Sequence, residues 1–205
     1  MKNYDPSSSN DLSLKKELRL KLLEQRAKLS NDELTAAEQA LRNIAFNNTP
    51  FKKTLLSAQR VISYTAFNGE ISPLLLTTEL TANIYLPKIL DYQIKEMAFF
   101  SADQHQIKNR YGIYEPTGTG KPINLDLVDI MLVPLVGFDD QGNRIGMGAG
   151  FYDRVFANAT NKPLIIGLGH DFQQQSSIQA DVWDEPLDVI LTPQQIIDPK
   201  NQIFC

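Results

Sequence analysis

The stretch Val133-Pro-Leu-Val-Gly-Phe-Asp-Asp-Gln-Gly-Asn-Arg-Ile-Gly-Met-Gly-Ala-Gly-Phe-Tyr-Asp-Arg154 decides how the rest of the chain is read. It begins at the end of the apolar run Ile130–Val136, passes a polar turn, then places Gly146, Gly148 and Gly150 at every second position. A helix is expected to start at Phe151. A run of that kind is how a strand covered on both faces reads. Leu164–Leu168 and Val189–Leu191 repeat the pattern, and helical periodicity separates the first two runs. Buried strands alternating with helices predict an α/β fold, a single-domain mixed and largely parallel sheet flanked by helices. Glycines before a helix let backbone N–H groups approach a ligand and form an anion site, with phosphate its natural occupant. A bare Gly-x-Gly-x-Gly is also compatible with a tight-packing turn. It lacks the dinucleotide fingerprint's spacing. Gly118-Thr-Gly-Lys121 is no Walker loop, because Glu115 and Pro122 stand where Gly and Ser or Thr are needed.

The flanks favour the anion site. Arg144 precedes the glycines with a planar fork of donors suited to phosphate. Asp153 follows them, and Mg²⁺ binds through one or two carboxylates plus phosphate oxygens and water. Asp184 and Asp188 each offer a second carboxylate, although an isolated Asp is usually a cap or a surface charge. Lys15 and Arg19 are a like-charged i,i+4 pair, either a solvated basic face or a pair holding an anion between them.

Toward the N-terminus, residues 1–12 are expected to form a loose tail, with Asp11 or Ser13 capping the first helix. Leu14, Leu18 and Leu22 define its apolar stripe, with Lys15, Arg19 and Arg26 on another face. Ser30-x-x-Glu33 is a capping box that opens a second helix ending before Pro50. Arg60–Phe67 is expected as a strand, broken at Asn68-Gly69, with a short helix from Ser72–Pro73 through Leu80. Ile84–Leu86 and Met97–Phe100 are further strands, and 101–125 is mostly loop. The domain is expected over 13–205.

The composition sets bounds. The chain has 205 residues and a formal net charge of −4, without the global basic signature of a duplex-binding protein. Its only cysteine, Cys205, allows no internal disulfide, and His105 and His170 are too few for a multi-histidine metal site. Both histidines are expected to be surface or structural groups, and Trp183 is as much a packing residue as a ligand contact. No apolar run reaches membrane-spanning length and the N-terminus has no signal-like core, so a cytoplasmic protein is expected.

Together these residues resemble the 5-formyltetrahydrofolate cyclo-ligase (5,10-methenyltetrahydrofolate synthetase) family. The family's Val-Pro-x-x-Gly-Phe-Asp and Gly-x-Arg-Leu-Gly-x-Gly-x-Gly-Tyr-Tyr-Asp pattern is nearly intact from Val133 to Asp153. Ile145 stands in place of Leu and Phe151 in place of the first Tyr. Lys15 and Arg19, Tyr64 through Ile71, Tyr111 through Pro116, and Asp184 through Asp188 match further segments in the family's order. The resemblance implies a sheet related to that of sugar-phosphate isomerases and coenzyme A transferases. It also implies ATP- and Mg²⁺-dependent closure of 5-formyltetrahydrofolate to 5,10-methenyltetrahydrofolate, with release of ADP and phosphate.

Carried over residue by residue, the resemblance assigns ATP to Lys15, Arg19 and the segment Arg144, Ile145, Gly146, Met147, Gly148, Ala149, Gly150, Phe151 and Tyr152. Arg144 and Tyr152 become the catalytic candidates. Glu70 and Tyr111 would contact folate, together with Met147, Gly148, Ala149, Gly150 and Phe151. Asp153 and Asp184 would hold Mg²⁺, and Lys88 and Lys95 are available to a polyglutamate tail. The implied partners are ATP and a folate, with neither nucleic acid nor membrane, and the expected state is a monomer. Two competing readings are another activity on the same sheet and a non-enzymatic RNA-binding relative. The intact glycine loop argues against the first, and the retained aspartates and negative charge against the second.

Overall fold

Period-two alternation in short, wholly apolar strands divides the core between the two faces of one sheet. The computed structural model describes residues 6–157, 159–181, 184–201 and 203, with side chains from residue 14 onward. Trp183 and Cys205 lie outside the described residues. In chain order the elements are α1 (Pro6–Ala27), α2 (Asn31–Asn47), α3 (Thr49–Ser57), β1 (Arg60–Ile62), α4 (Leu74–Thr77), β2 (Asn83–Asp91), β3 (Glu96–Ser101), β4 (Gln106–Lys108) and β5 (Tyr114–Pro116). They continue with β6 (Ile130–Pro134), β7 (Gly137–Phe138), β8 (Arg144–Ile145), α5 (Phe151–Ala157), β9 (Leu164–Leu168), β10 (Val189–Leu191) and β11 (Ile196–Ile197).

The main sheet has seven strands in the order β11-β10-β9-β6-β1-β2-β3. The five inner strands run parallel, and β11 and β3 close the edges antiparallel. Val61, Ile130, Leu132, Ile166, Leu168, Val189 and Leu191 pack on one face with Leu41 and Ala45 of α2 and Phe51 and Leu55 of α3. Ile62, Met131, Val133, Ile165 and Ile190 point the other way, onto Phe138 and Phe156 of α5. Both faces are therefore covered, as the continuous apolar runs predict.

Several local expectations change. Helix α1 begins at Pro6, ahead of the expected caps Asp11 and Ser13. Leu14 is 58% exposed while Leu22 is buried. A four-residue spacing drifts about 40° per step around a 3.6-residue helix, so the leucine stripe turns away from the core. The Ser30–Glu33 capping box forms as read. Helix α2 ends at Asn47, before Pro50 as expected, and Pro50 then occupies the first turn of a further helix, α3, whose Asn48 cap accepts the Phe51 N–H at 3.0 Å. Only Arg60–Ile62 of the expected 60–67 strand is laddered. The chain beyond it leaves the sheet, where the Tyr64 hydroxyl donates to Ile71 O at 2.6 Å and the Thr65 hydroxyl to Tyr114 O at 2.9 Å. The short helix through Leu80 contracts to Leu74–Thr77. The 101–125 stretch, expected as loop, holds the β4–β5 hairpin.

Candidate functional site

The sheet's departing loops meet α1 around a cavity of about 680 Å³, within the range of small-molecule sites. Lys15, Arg19, Glu70, Tyr111, Arg144, Asp153, Asp184 and every residue from Gly146 to Tyr152 line it. Distant segments thus converge as the sequence predicts. Ile145 is the exception among the expected ligand contacts. Its side chain is buried with Leu22, Val136 and Ile178, because the β7–β8 hairpin turns alternate residues inward. Asp188 does not line the cavity. Its carboxylate accepts the Ile165 N–H at 2.8 Å and faces Lys200 at 2.6 Å.

The glycine loop links β8 to α5, and Gly148 (φ +86°) and Gly150 (φ +72°) adopt the left-handed conformation that side chains disfavour. Cations sit against it. The Arg19 Nε donates to Gly146 O at 2.8 Å. A Cβ added to Gly148 would lie 3.5 Å from that guanidinium, and one on Gly150 would lie 3.4 Å from Lys95 Nζ.

The acidic candidates are ion-paired with the basic ones. Lys15 Nζ lies 3.0 Å from both Asp181 and Asp184. Burial pulls the Lys15 pKa down, but the hydrogen bonds the ammonium donates to Asp184 and Asp181, with their charges, outweigh it and hold that pKa above the ordinary value. Arg144 pairs with Asp153, and its Nε–H is buried with no acceptor among the described residues. A buried donor left unsatisfied costs about 1–3 kcal/mol.

Glu70 lies deeper. Burial raises its carboxyl to about 7, against the lowering effect of the Arg26 guanidinium and the Phe67 N–H. Burial, then the charge of Glu70, keeps the Tyr152 phenol protonated well above its usual range, so this side chain is a hydrogen-bond donor at neutral pH. Tyr111 is exposed at the hairpin and meets Tyr92 edge-on at 5.7 Å.

Lys88 is not free to meet a substrate tail. It faces buried Glu115 at 3.4 Å and donates to Pro116 O at 3.2 Å, whereas Lys95 lines the cavity. His170 is buried, its Nε2 sits 2.9 Å from Gly69 O, and burial lowers its pKa, in keeping with a structural group. His105 is exposed, away from the cavity lining.

Sequence reasoning missed Asp181, Lys95 as a neighbour of the glycine loop, and the burial of Arg26. Only Arg26 carried a signal: it follows Lys15 by eleven residues, close to three helical turns, so it shares the face of Lys15 and Arg19. Leu22 lies on that same face, which is why a charged row can be partly core.

Known proteins resemble this chain over most of its length. Residues 11–193 match the model of the 5-formyltetrahydrofolate cyclo-ligase family. The 5-formyltetrahydrofolate cyclo-ligase of Haemophilus influenzae is 34% identical over 184 residues, covering 86% of this chain and 96% of the relative. That of Escherichia coli is 30% identical over 149 residues, covering 69% and 82%. The solution structure of Aquifex aeolicus 5,10-methenyltetrahydrofolate synthetase superposes with a TM-score of 0.76 at 30% identity, covering 91% of this chain and 93% of that one. A Mycoplasma pneumoniae 5,10-methenyltetrahydrofolate synthetase shares the fold at a TM-score of 0.68 and 24% identity, covering 87% of this chain and 98% of that one. The chain belongs to the 5-formyltetrahydrofolate cyclo-ligase family.

Proposed function

We propose that this cavity closes 5-formyltetrahydrofolate to 5,10-methenyltetrahydrofolate at the expense of ATP. The formyl group on N5 is an amide, with a poorly electrophilic carbon and a poor leaving group. Transfer of the ATP γ-phosphoryl to the formyl oxygen forms an O–P bond as the bond to ADP breaks. N10 then attacks the carbon and loses its proton. The C–O bond breaks, and inorganic phosphate leaves with both electrons of that bond. Such chemistry needs alignment and charge neutralisation more than a protein nucleophile. The observation that carries the reading is the convergence of Lys15, Arg19, Arg144 and the glycine loop with Glu70 on one cavity.

Lys15, Arg19 and Arg144 hold the polyphosphate, and Gly146–Tyr152 wrap the nucleotide. Glu70 accepts from the N–H-rich edge of the pterin, and Tyr111 forms an aromatic wall. The Tyr152 hydroxyl, protonated at working pH, donates to an oxygen that gains charge. The donor set suits Mg²⁺: Asp153 and Asp184 are carboxylates lining the cavity that the phosphate-binding cations share. They would hold the ion, whose chemistry is to neutralise charge on the transferring phosphoryl. Asp184 and Asp153 pair with Lys15 and Arg144, so carboxylates engaged by an ion would leave those cations free for the phosphates.

No helix among the described residues is long and apolar enough to cross a membrane. A cytoplasmic, monomeric enzyme acting on folate with or without a polyglutamate tail completes the reading. The test is an absorbance assay for the near-ultraviolet band of the conjugated product, with ATP-free and metal-free controls. A rise that needs folate, ATP and Mg²⁺ together supports the reading. A flat trace from folded, ATP-binding protein refutes it.

A further inference from the structure

Arg26 is 1% exposed and absent from the cavity lining, yet it touches three of the segments that form the cavity. Its Nε donates to Asn68 O at 2.9 Å, and one terminal nitrogen donates to Leu135 O, just beyond β6, at 3.1 Å. The other terminal nitrogen lies 3.5 Å from the Glu70 carboxylate and 3.6 Å from the sulfur of Met147 in the glycine loop. The turn it grips is built to seat there. Asn68 (φ +50°) and Gly69 (φ +75°) are both left-handed. A Cβ on Gly69 would come within 2.4 Å of Arg26 O, so only glycine lets the turn press on α1. The Glu70 carboxylate in turn accepts the Phe67 N–H at 3.0 Å.

We infer that Arg26 is a positioning residue, which fixes the Glu70 carboxylate toward the cavity and ties the 67–70 turn to α1, to the end of β6 and to the glycine loop. A guanidinium suits the task because its planar fork serves several acceptors at once, where a lysine ammonium is a point charge on a flexible stem. The inference rests on the assignment of Glu70 to the folate subsite.

The titratable groups around Glu70 are Arg26 on α1, Tyr64 after β1 and Tyr152 on α5. His170, after β9, holds the neighbouring Gly69 carbonyl, and Glu38 of α2 acts on Tyr64. Both tyrosines stay neutral because their pKa values are raised, and His170 is pushed toward neutrality by burial. Arg26 is thus the positive charge that opposes the upward pull of burial on the Glu70 carboxyl.

The experiment is a double-mutant cycle read by pH profile and by KM for each substrate. Glu70→Gln is expected to raise the folate KM by about tenfold, the lower range of a charge-assisted hydrogen bond, and to abolish the acid limb of kcat/KM. Arg26→Met is expected to raise the folate KM similarly and to move that limb to higher pH, with the ATP KM changed less than about threefold. The double variant should be no worse than the poorer single one, since both remove one interaction. Arg26→Lys should keep the limb near its wild-type position, by retaining the charge, while still raising the folate KM. If Arg26→Met lowers activity equally at every pH, moves both KM values together, or multiplies with Glu70→Gln, Arg26 is merely structural and the inference fails. If Arg26→Met does not fold, Arg26→Lys decides, and an unchanged folate KM there overturns the inference. A Glu70→Gln variant with unaltered folate KM and acid limb removes the folate assignment itself, a distinguishable failure.

Discussion

Lys15 shares Asp181 and Asp184 in a pairing whose side chains keep 17%, 38% and 17% of their exposure, and Asp153 keeps 28% opposite an Arg144 that keeps 8%. Arg26 and Glu70, by contrast, keep 1% and 8%. Exposed ion pairs contribute about 0–1 kcal/mol, and losing one partner of a buried pair costs about 3–5 kcal/mol. The first group, more exposed on its carboxylate side, is the less costly to rearrange, which fits the proposed exchange of these pairs for a nucleotide and a cation. The second is expensive to disturb, which fits the proposed role of Glu70 as a pre-set contact for the substrate. One cavity therefore combines exchangeable charge with fixed charge.

The comparison breaks most readily at Asp153. Asp153→Ala is expected to abolish Mg²⁺-supported turnover and to lower the unfolding midpoint, because it leaves the largely buried Arg144 without its carboxylate partner. Wild-type rates would remove Asp153 from the exchangeable group. Arg144→Ala should lower kcat by about 10²-fold, the loss typical of one preorganised donor on a developing charge. Full activity would mean that the buried, unsatisfied Nε has no part in catalysis.

Glu70 sharpens the other half. Burial raises its folded pKa from 4.5 to about 7, so the native state binds the proton more tightly than the unfolded chain does. That contribution is complete below about 4.5 and is lost as pH rises to about 7, a fall of about 3 kcal/mol from this group. Denaturant unfolding across that window should show this slope, and Glu70→Gln should flatten it. An identical slope in both proteins would mean that Glu70 is not the fixed, desolvated charge described here.

The same contrast explains what was legible from sequence. The glycine loop, Arg144 and Asp153 lie within eleven residues, and their chemistry follows from local order. The parallel sheet was legible because its strands are apolar on both faces. Lys15, Arg19, Glu70 and Tyr111 came through resemblance, since no local rule places them at one cavity. Asp181 gains meaning only from Lys15, 166 positions away, and Lys95 only from the fold of the β2–β3 turn against Gly150. The 60–67 segment has strand propensity throughout, but tertiary bonds from Tyr64 and Thr65 draw it off the sheet. Pro50 signals a break equally well whether the chain turns to coil or restarts as α3.

The smallest effect tests the exchange itself. If Asp184 occupies Lys15 until a cation takes the carboxylate, ATP without metal must compete with Asp184 for the ammonium and must also approach its negative charge. Asp184→Asn removes the charge and weakens the competitor but leaves Asp181 at 3.0 Å from the same Nζ, so the gain is limited. Calorimetric titration with a metal chelator present should show ATP binding about threefold tighter than wild type, within the range of one exposed ion pair. With Mg²⁺ present the order should reverse, because a carboxylate has been lost from the cation's donor set. Tighter binding in both conditions would make Asp184 a simple electrostatic obstacle. Weaker binding in both would make it a scaffold for Lys15, as fixed in its way as Glu70, and the distinction between the two groups of charges would then fall.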